Sequence, residues 1–165
     1  MENLSLNNLR EKYNCSALEE LSGVYPVPVG KICSSLGIEA LHYPMNDDES
    51  GKIFLKNNKY FIRVNASHLP ARRRFTVAHE LGHYYHHKDF LDQESQILER
   101  NNYSGLGFDE KEIEANQFAA ELLMPRVHFI QKYTELKKIH LLAEYFFVSE
   151  LAIKVRLINL GLIIE

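Results

Sequence analysis

Short apolar runs dominate the first half of the chain and helical periodicity the second. Ile38 to Tyr43, Lys52 to Leu55 and Tyr60 to Val64 read as strands, the last two joined through Asn57-Asn58. Asparagine tolerates the left-handed backbone that a two-residue hairpin turn needs, so these segments predict a small antiparallel sheet. Before them, residues 1 to 26 read as a weakly helical, variable leader ending near Pro26 and Pro28, with a short helix from Gly30 to Leu36 stopped by Gly37. From Pro70 onward the spacing changes. Phe75, Ala78, Leu81, Gly82 and Tyr85 recur three and four apart, predicting a helix to about His87. A second helix is expected from Asp109 to Met124, closed by Pro125. Two more follow, Tyr133 to Phe146 and Ser149 to Leu160, the last with Ser149 as its cap and Gly161 as its stop. The fold class is therefore α+β, a sheet early and helices late.

Length and composition narrow the possibilities. At 165 residues with 45% hydrophobic side chains, the chain is read as one domain: the leader, a sheet-and-helix region 27–125, and C-terminal helices 126–165. A net charge of −3 provides no overall attraction to a phosphate backbone, so direct nucleic-acid binding is not expected. The start MENLSLNNLREKYN lacks the basic and apolar stretches of a secretory signal, and no apolar run approaches the roughly 20 residues of a membrane span. Cys15 and Cys33 are too few for a disulfide framework. Together these predict a cytoplasmic protein with no membrane partner.

The chemistry is concentrated in His79-Glu80-Leu81-Gly82-His83, an H-E-x-x-H pattern. Residues four apart share one helix face, so both imidazoles can reach one ion, while Glu80 sits beside them as a carboxylate able to take a proton from water. The apolar flanks Phe75, Val77, Ala78, Leu81, Tyr84 and Tyr85 predict that this helix is buried, and buried ionisable groups need partners. His86 and His87 read as ordinary polar residues closing the helix. Arg72, Arg73 and Arg74 read as a solvated face or as pairing partners.

A catalytic zinc takes three protein ligands, so a third donor must come from elsewhere. In Asp109-Glu110-Lys111-Glu112-Ile113-Glu114-Ala115-Asn116, the apolar residues Ala115, Phe118, Ala119, Leu122 and Leu123 define a buried face. Glu112 lies at its edge, whereas Glu114 and Glu121 lie nearly opposite. Asn116, one turn beyond Glu112, is placed to accept a proton from a ligating histidine's other nitrogen. The alternative is a helix cap by Asp109 with Glu112 completing a capping box, leaving Glu114 or no protein group as the third ligand.

Two blocks carry a resemblance: Arg74-Phe75-Thr76-Val77-Ala78-His79-Glu80-Leu81-Gly82-His83, and Glu112-Ile113-Glu114-Ala115-Asn116-Gln117-Phe118-Ala119-Ala120-Glu121-Leu122-Leu123-Met124-Pro125. They resemble the two signature blocks of the ImmA/IrrE metallopeptidases, and weaker similarity covers most of the chain after Val27. The resemblance implies a zincin-like, gluzincin-type core and one Zn2+ per chain held by His79, His83 and Glu112. It also implies Glu80 as general base, and as substrate a helix-turn-helix repressor whose cleavage derepresses mobile-element or stress genes. Tyr84, Tyr85, Tyr103, His128 and Tyr145 have the chemistry of an oxyanion donor, without a means of choosing among them. Two other readings compete: a non-cleaving module that docks on a transcription regulator, and a DNA binder built on the last two helices. The latter is disfavoured by the apolar run Leu151, Ile153, Val155, Leu157, Ile158 and Leu160, which reads as core packing.

Overall fold

The structure is a computed structural model, and it describes residues 23–97 and 108–163. The predicted leader falls mostly outside these, as do Cys15, Tyr103 and the polar stretch from Asn101 to Gly107. The described residues form two compact units: 29–119, and a second that combines 23–28 with 120–163.

The first unit opens with α1 (Val29–Ser35), ended by Gly37 at φ 70°, followed by β1 (Glu39–Tyr43), β2 (Gly51–Lys56) and β3 (Lys59–Asn65). Asn57 and Asn58 both take positive φ, 51° and 58°, and turn β2 into β3 as an antiparallel hairpin. The sheet as a whole is mixed, not antiparallel. Its order is β1-β3-β2, and β1 runs parallel to β3 with Glu39 opposite Phe61 and Tyr43 opposite Asn65. The chain between β1 and β2 passes the end of β3, where the fully buried Asn65 amide donates to the carbonyls of Asn46 (2.8 Å) and Glu49 (2.9 Å). Its oxygen accepts from the backbone N–H (3.0 Å) and hydroxyl (2.6 Å) of Ser67. A pattern of apolar residues holds no record of such a pin, which is why only the hairpin was foreseeable.

The sheet turns Ile53, Ile62 and Val64 inward against α2 (Pro70–His86), whose Val77, Ala78 and Leu81 are buried in return. Pro70 starts this helix where its missing N–H costs nothing. Two glycines allow close packing. A Cβ on Gly51 would lie 2.5 Å from Thr76 Cγ2 of α2 and 2.6 Å from the Arg63 carbonyl. A Cβ on Gly82 would lie 2.8 Å from Ala115 Cα, 3.0 Å from its carbonyl oxygen and 3.2 Å from Phe118 Cβ, all on α4 (Phe108–Leu123). Between them runs α3 (Lys88–Ile97), a helix not anticipated because its sequence is mostly polar and follows without a break signal.

In the second unit α5 (Arg126–Leu136), α6 (Ile139–Phe146) and α7 (Glu150–Asn159) bury Phe129, Leu142, Phe146, Ile153 and Leu157. The expected helix Tyr133 to Phe146 is instead two, because Lys137 adopts φ 54° and ends α5 with a left-handed residue that is not glycine. Ser149 caps α7 by accepting from the Ala152 N–H at 3.1 Å, and Gly161 follows with φ 68°. Leu151 and Val155 of α7 are exposed, so only one side of that apolar run is core. Glu121, expected to face outward, is buried. Arg156 of α7 bonds its carboxylate and donates to the Met124 carbonyl (3.1 and 2.9 Å), while the second Glu121 oxygen accepts from the Arg126 N–H (3.0 Å). A partner from a distant helix reverses the direction that periodicity within one helix assigns.

Gly82→Ala is expected to destabilise the protein by ~1–3 kcal/mol through overpacking against backbone, whereas Gly30→Ala, where a Cβ meets nothing within 4 Å, is expected to be neutral or better. Urea unfolding of the two variants side by side checks this; equal midpoints would contradict the close packing. Asn65→Ala, which removes the buried amide that holds the Asn46 and Glu49 carbonyls, should cost about 1–3 kcal/mol in the same assay.

Candidate metal centre

Helix α2 places His79 and His83 one turn apart on one face, and α4 presents Glu112 to both. The two imidazole Nε2 atoms lie 3.0 Å apart, and each is 3.1 Å from an oxygen of Glu112. Each residue thus offers one ligand atom, all within 4.8 Å of one another, making a His-His-Glu group that could hold a metal ion. Glu112 makes contact here only because Gly82 lets the two helices approach. Both carboxylate oxygens of Glu112 thus face the histidine pair.

The protons around this group are arranged to leave ligand lone pairs inward. Asn116 Oδ1, an acceptor only, sits 3.0 Å from His79 Nδ1, so the proton of His79 belongs on Nδ1 and Nε2 faces the centre with its lone pair. Burial pushes the His83 imidazole down to about 3, with the neighbouring His79 and His87 adding to the effect. A neutral ring is the form a metal accepts. Two nitrogens and one carboxylate oxygen converging on one point are a donor set that zinc accepts, so the residues present fit the ion that the resemblance implies.

Glu80 is 6% exposed, on the same helix but not among the three converging donors. Burial raises its carboxyl to about 8, the Glu112 carboxylate adds to the rise, and a hydrogen bond from the backbone N–H of Ile53 opposes it. Glu80 is therefore held against edge strand β2 with an enhanced affinity for a proton.

The contacts of two further residues were not foreseen. His87 closes α2 as expected, as its C-cap with its N–H on the His83 carbonyl (2.8 Å), but its ring also folds back so that its Nδ1 lies 3.1 Å from His83 Nδ1. Its Nε2 lies 2.9 Å from Glu114, which was expected to look away and does remain more than half exposed while reaching this histidine. The available signal was the repeated spacing of four, His79, His83 and His87. Of the possible oxyanion donors, Tyr84 packs edge-on against Tyr60, Tyr85 packs against Phe118, and His128 and Tyr145 hydrogen-bond each other at 3.0 Å in the second unit. Arg72 donates to Ser50 Oγ (3.0 Å), and Arg73 lies 3.4 Å from His42 Nδ1, so these two behave as pairing partners. Burial lowers the Arg74 guanidinium to about 10.

The chain is similar to known proteins in sequence and in fold. A model of peptidase family M78, described as the IrrE N-terminal-like domain, matches residues 33–158. Uncharacterized immunity region protein 2 of Bacillus phage phi105 is 40% identical over 70 residues, which is 42% of this chain and 40% of the relative. A Mycobacterium tuberculosis transcriptional regulator of known structure aligns with a TM-score of 0.60 at 19% identity, covering 93% of this chain and 52% of that one. The chain thus spans about half the length of the solved relative and two fifths of the curated one. The structural likeness shows a shared fold, and the match over residues 33–158 shows that the chain belongs to the IrrE N-terminal-like peptidase family M78.

Proposed function

We propose that this chain is a cytoplasmic zinc-dependent endopeptidase that cuts a helix-turn-helix transcriptional repressor. The observation that carries the reading is the convergence of His79, His83 and Glu112 with Glu80 buried beside them. Membership of a metallopeptidase family supports it. For the substrate, support comes from the relative in a phage immunity region and from the solved relative described as a transcriptional regulator. Among the described residues no helix is long and apolar enough to cross a membrane.

His79, His83 and Glu112 would hold one Zn2+ per chain, with Asn116 orienting His79. When bound, the ion supplies Lewis acidity toward a peptide carbonyl and a water molecule. Glu80 acts as the general base: its carboxylate receives a proton from the attacking water and passes it to the leaving amine nitrogen. The Ile53 N–H orients that carboxylate. An extended peptide is bound along β2, an edge strand with backbone groups outside the β2–β3 ladder, which places the peptide beside Glu80. A peptide segment that can be drawn out straight is therefore the preferred substrate.

Elemental analysis of gently purified protein should find about one zinc per chain, lost in His79→Ala and Glu112→Ala and retained in Glu80→Gln. Absence of metal from wild-type protein under zinc-replete conditions would sink the reading. Glu80→Gln should also abolish cleavage, by 10²-fold or more if Glu80 is the base. Comparing protein termini in cells carrying wild type or Glu80→Gln should reveal a helix-turn-helix regulator cut only by the wild type. A biological effect that survives Glu80→Gln would instead favour docking on the regulator without cleavage.

A further inference from the structure

We propose that His87 and Glu114 are positioning residues for the metal centre, fixing the tautomer and orientation of His83 through a carboxylate-to-imidazole-to-imidazole chain. This inference rests on the metal-binding reading of His79, His83 and Glu112. Its geometry is continuous: Glu114 Oε2 to His87 Nε2 at 2.9 Å, then His87 Nδ1 to His83 Nδ1 at 3.1 Å, then His83 Nε2 facing Glu112 at 3.1 Å.

Each hydrogen bond dictates the next. An ionised carboxylate only accepts, so the proton of a neutral His87 sits on Nε2 and points at Glu114. His87 Nδ1 is then a lone pair, and the hydrogen bond to His83 can form only if His83 carries its proton on Nδ1. That leaves His83 Nε2 as the lone pair, directed into the group with His79 Nε2 and Glu112. The opposite tautomer of His83 would put a proton where the ion must bind and set two lone pairs against each other across 3.1 Å.

The arrangement is built, not incidental. His87 is almost fully buried, although a histidine at a helix end is free to turn into solvent. It ends α2 by its own backbone bond to His83, so one residue both terminates the helix and braces the ligand one turn earlier. The two histidine ligands are consequently held in different ways. His79 is oriented by a neutral amide, Asn116, and His83 by a chain that ends on an anion. Glu114 also ties the centre to the same helix that supplies Glu112 and Asn116, so α4 meets α2 and its cap through three residues.

The test uses full-length protein and zinc itself as the probe. Zinc affinity is measured by competition with a chromophoric chelator, and the ligand field by the visible spectrum of the cobalt-substituted protein. His87→Phe removes the acceptor while keeping the ring buried, and should weaken zinc binding by roughly 10–100-fold and shift the cobalt bands. His87→Gln, whose amide oxygen can accept from His83 Nδ1, should recover part of both. Glu114→Ala alters a largely exposed side chain and is expected to fold normally, so it decides the matter if His87→Phe does not. It should loosen zinc several-fold, and Glu114→Gln should restore most of that. Wild-type affinity and an unchanged cobalt spectrum in both Glu114→Ala and a folded His87→Phe would overturn the positioning role while leaving the metal site standing. A wild-type protein that takes up no zinc would overturn both.

Discussion

Everything at the candidate metal centre depends on how closely α2 and α4 cross. Helices packed through ordinary side chains stand 8–10 Å apart, with the distance controlled by the residues at the contact. Here Gly82 meets Ala115, and even a methyl group on Gly82 would collide with backbone. A glutamate side chain has limited reach, so Glu112 can touch Nε2 of both His79 and His83 only across a narrow gap. The glycine costs the helix about 1 kcal/mol in intrinsic propensity, a loss offset by the packing of Ala115 and Phe118 on either side of it. Gly51 plays the corresponding part on the sheet side, where β2 closes onto Thr76 and brings the Ile53 N–H to Glu80.

Such close packing creates an electrostatic difficulty. Helix α2 and its C-cap set His79, Glu80, His83 and His87 beside the buried apolar residues Val77, Ala78 and Leu81, and a buried polar group without a partner costs about 1–3 kcal/mol. Each of these side chains finds its partner on a different element or one turn away. Glu80 is met by β2, His79 by Asn116, His83 by His87, and His87 by Glu114. The same bonds that satisfy these groups also dictate which nitrogen of each ring faces the centre. Stabilising the interior and orienting the candidate ligands are therefore one physical arrangement.

The second unit solves a similar problem with an ion pair. Arg156 and Glu121 are both buried, and together they satisfy the Met124 carbonyl and the first N–H of α5 around the Pro125 corner. Losing one partner of such a pair is expensive because the other is left charged in a low-dielectric interior. The guanidinium thereby ties α7 to the end of α4 at a point where proline has interrupted the helical hydrogen bonds.

What the sequence by itself determined was local. Spacing of four put His79 and His83 on one face, apolar periodicity identified the helices Pro70–His86 and Phe108–Leu123, and Asn57-Asn58 marked the hairpin. The angle of Glu112 at the edge of its apolar face pointed it inward, because that direction follows from helix geometry alone. What depended on partners from elsewhere in the chain was decided only by the tertiary structure. The parallel pairing of β1 with β3 follows from Asn65 holding a distant loop, and the break at Lys137 from a left-handed residue with no composition signal. Glu121 turned inward against its expected direction and His87 gained a role its polar pattern did not show, both for one reason. A polar side chain is drawn to whichever donor or acceptor the fold brings near, and a helical pattern records only the apolar face that its own residues share.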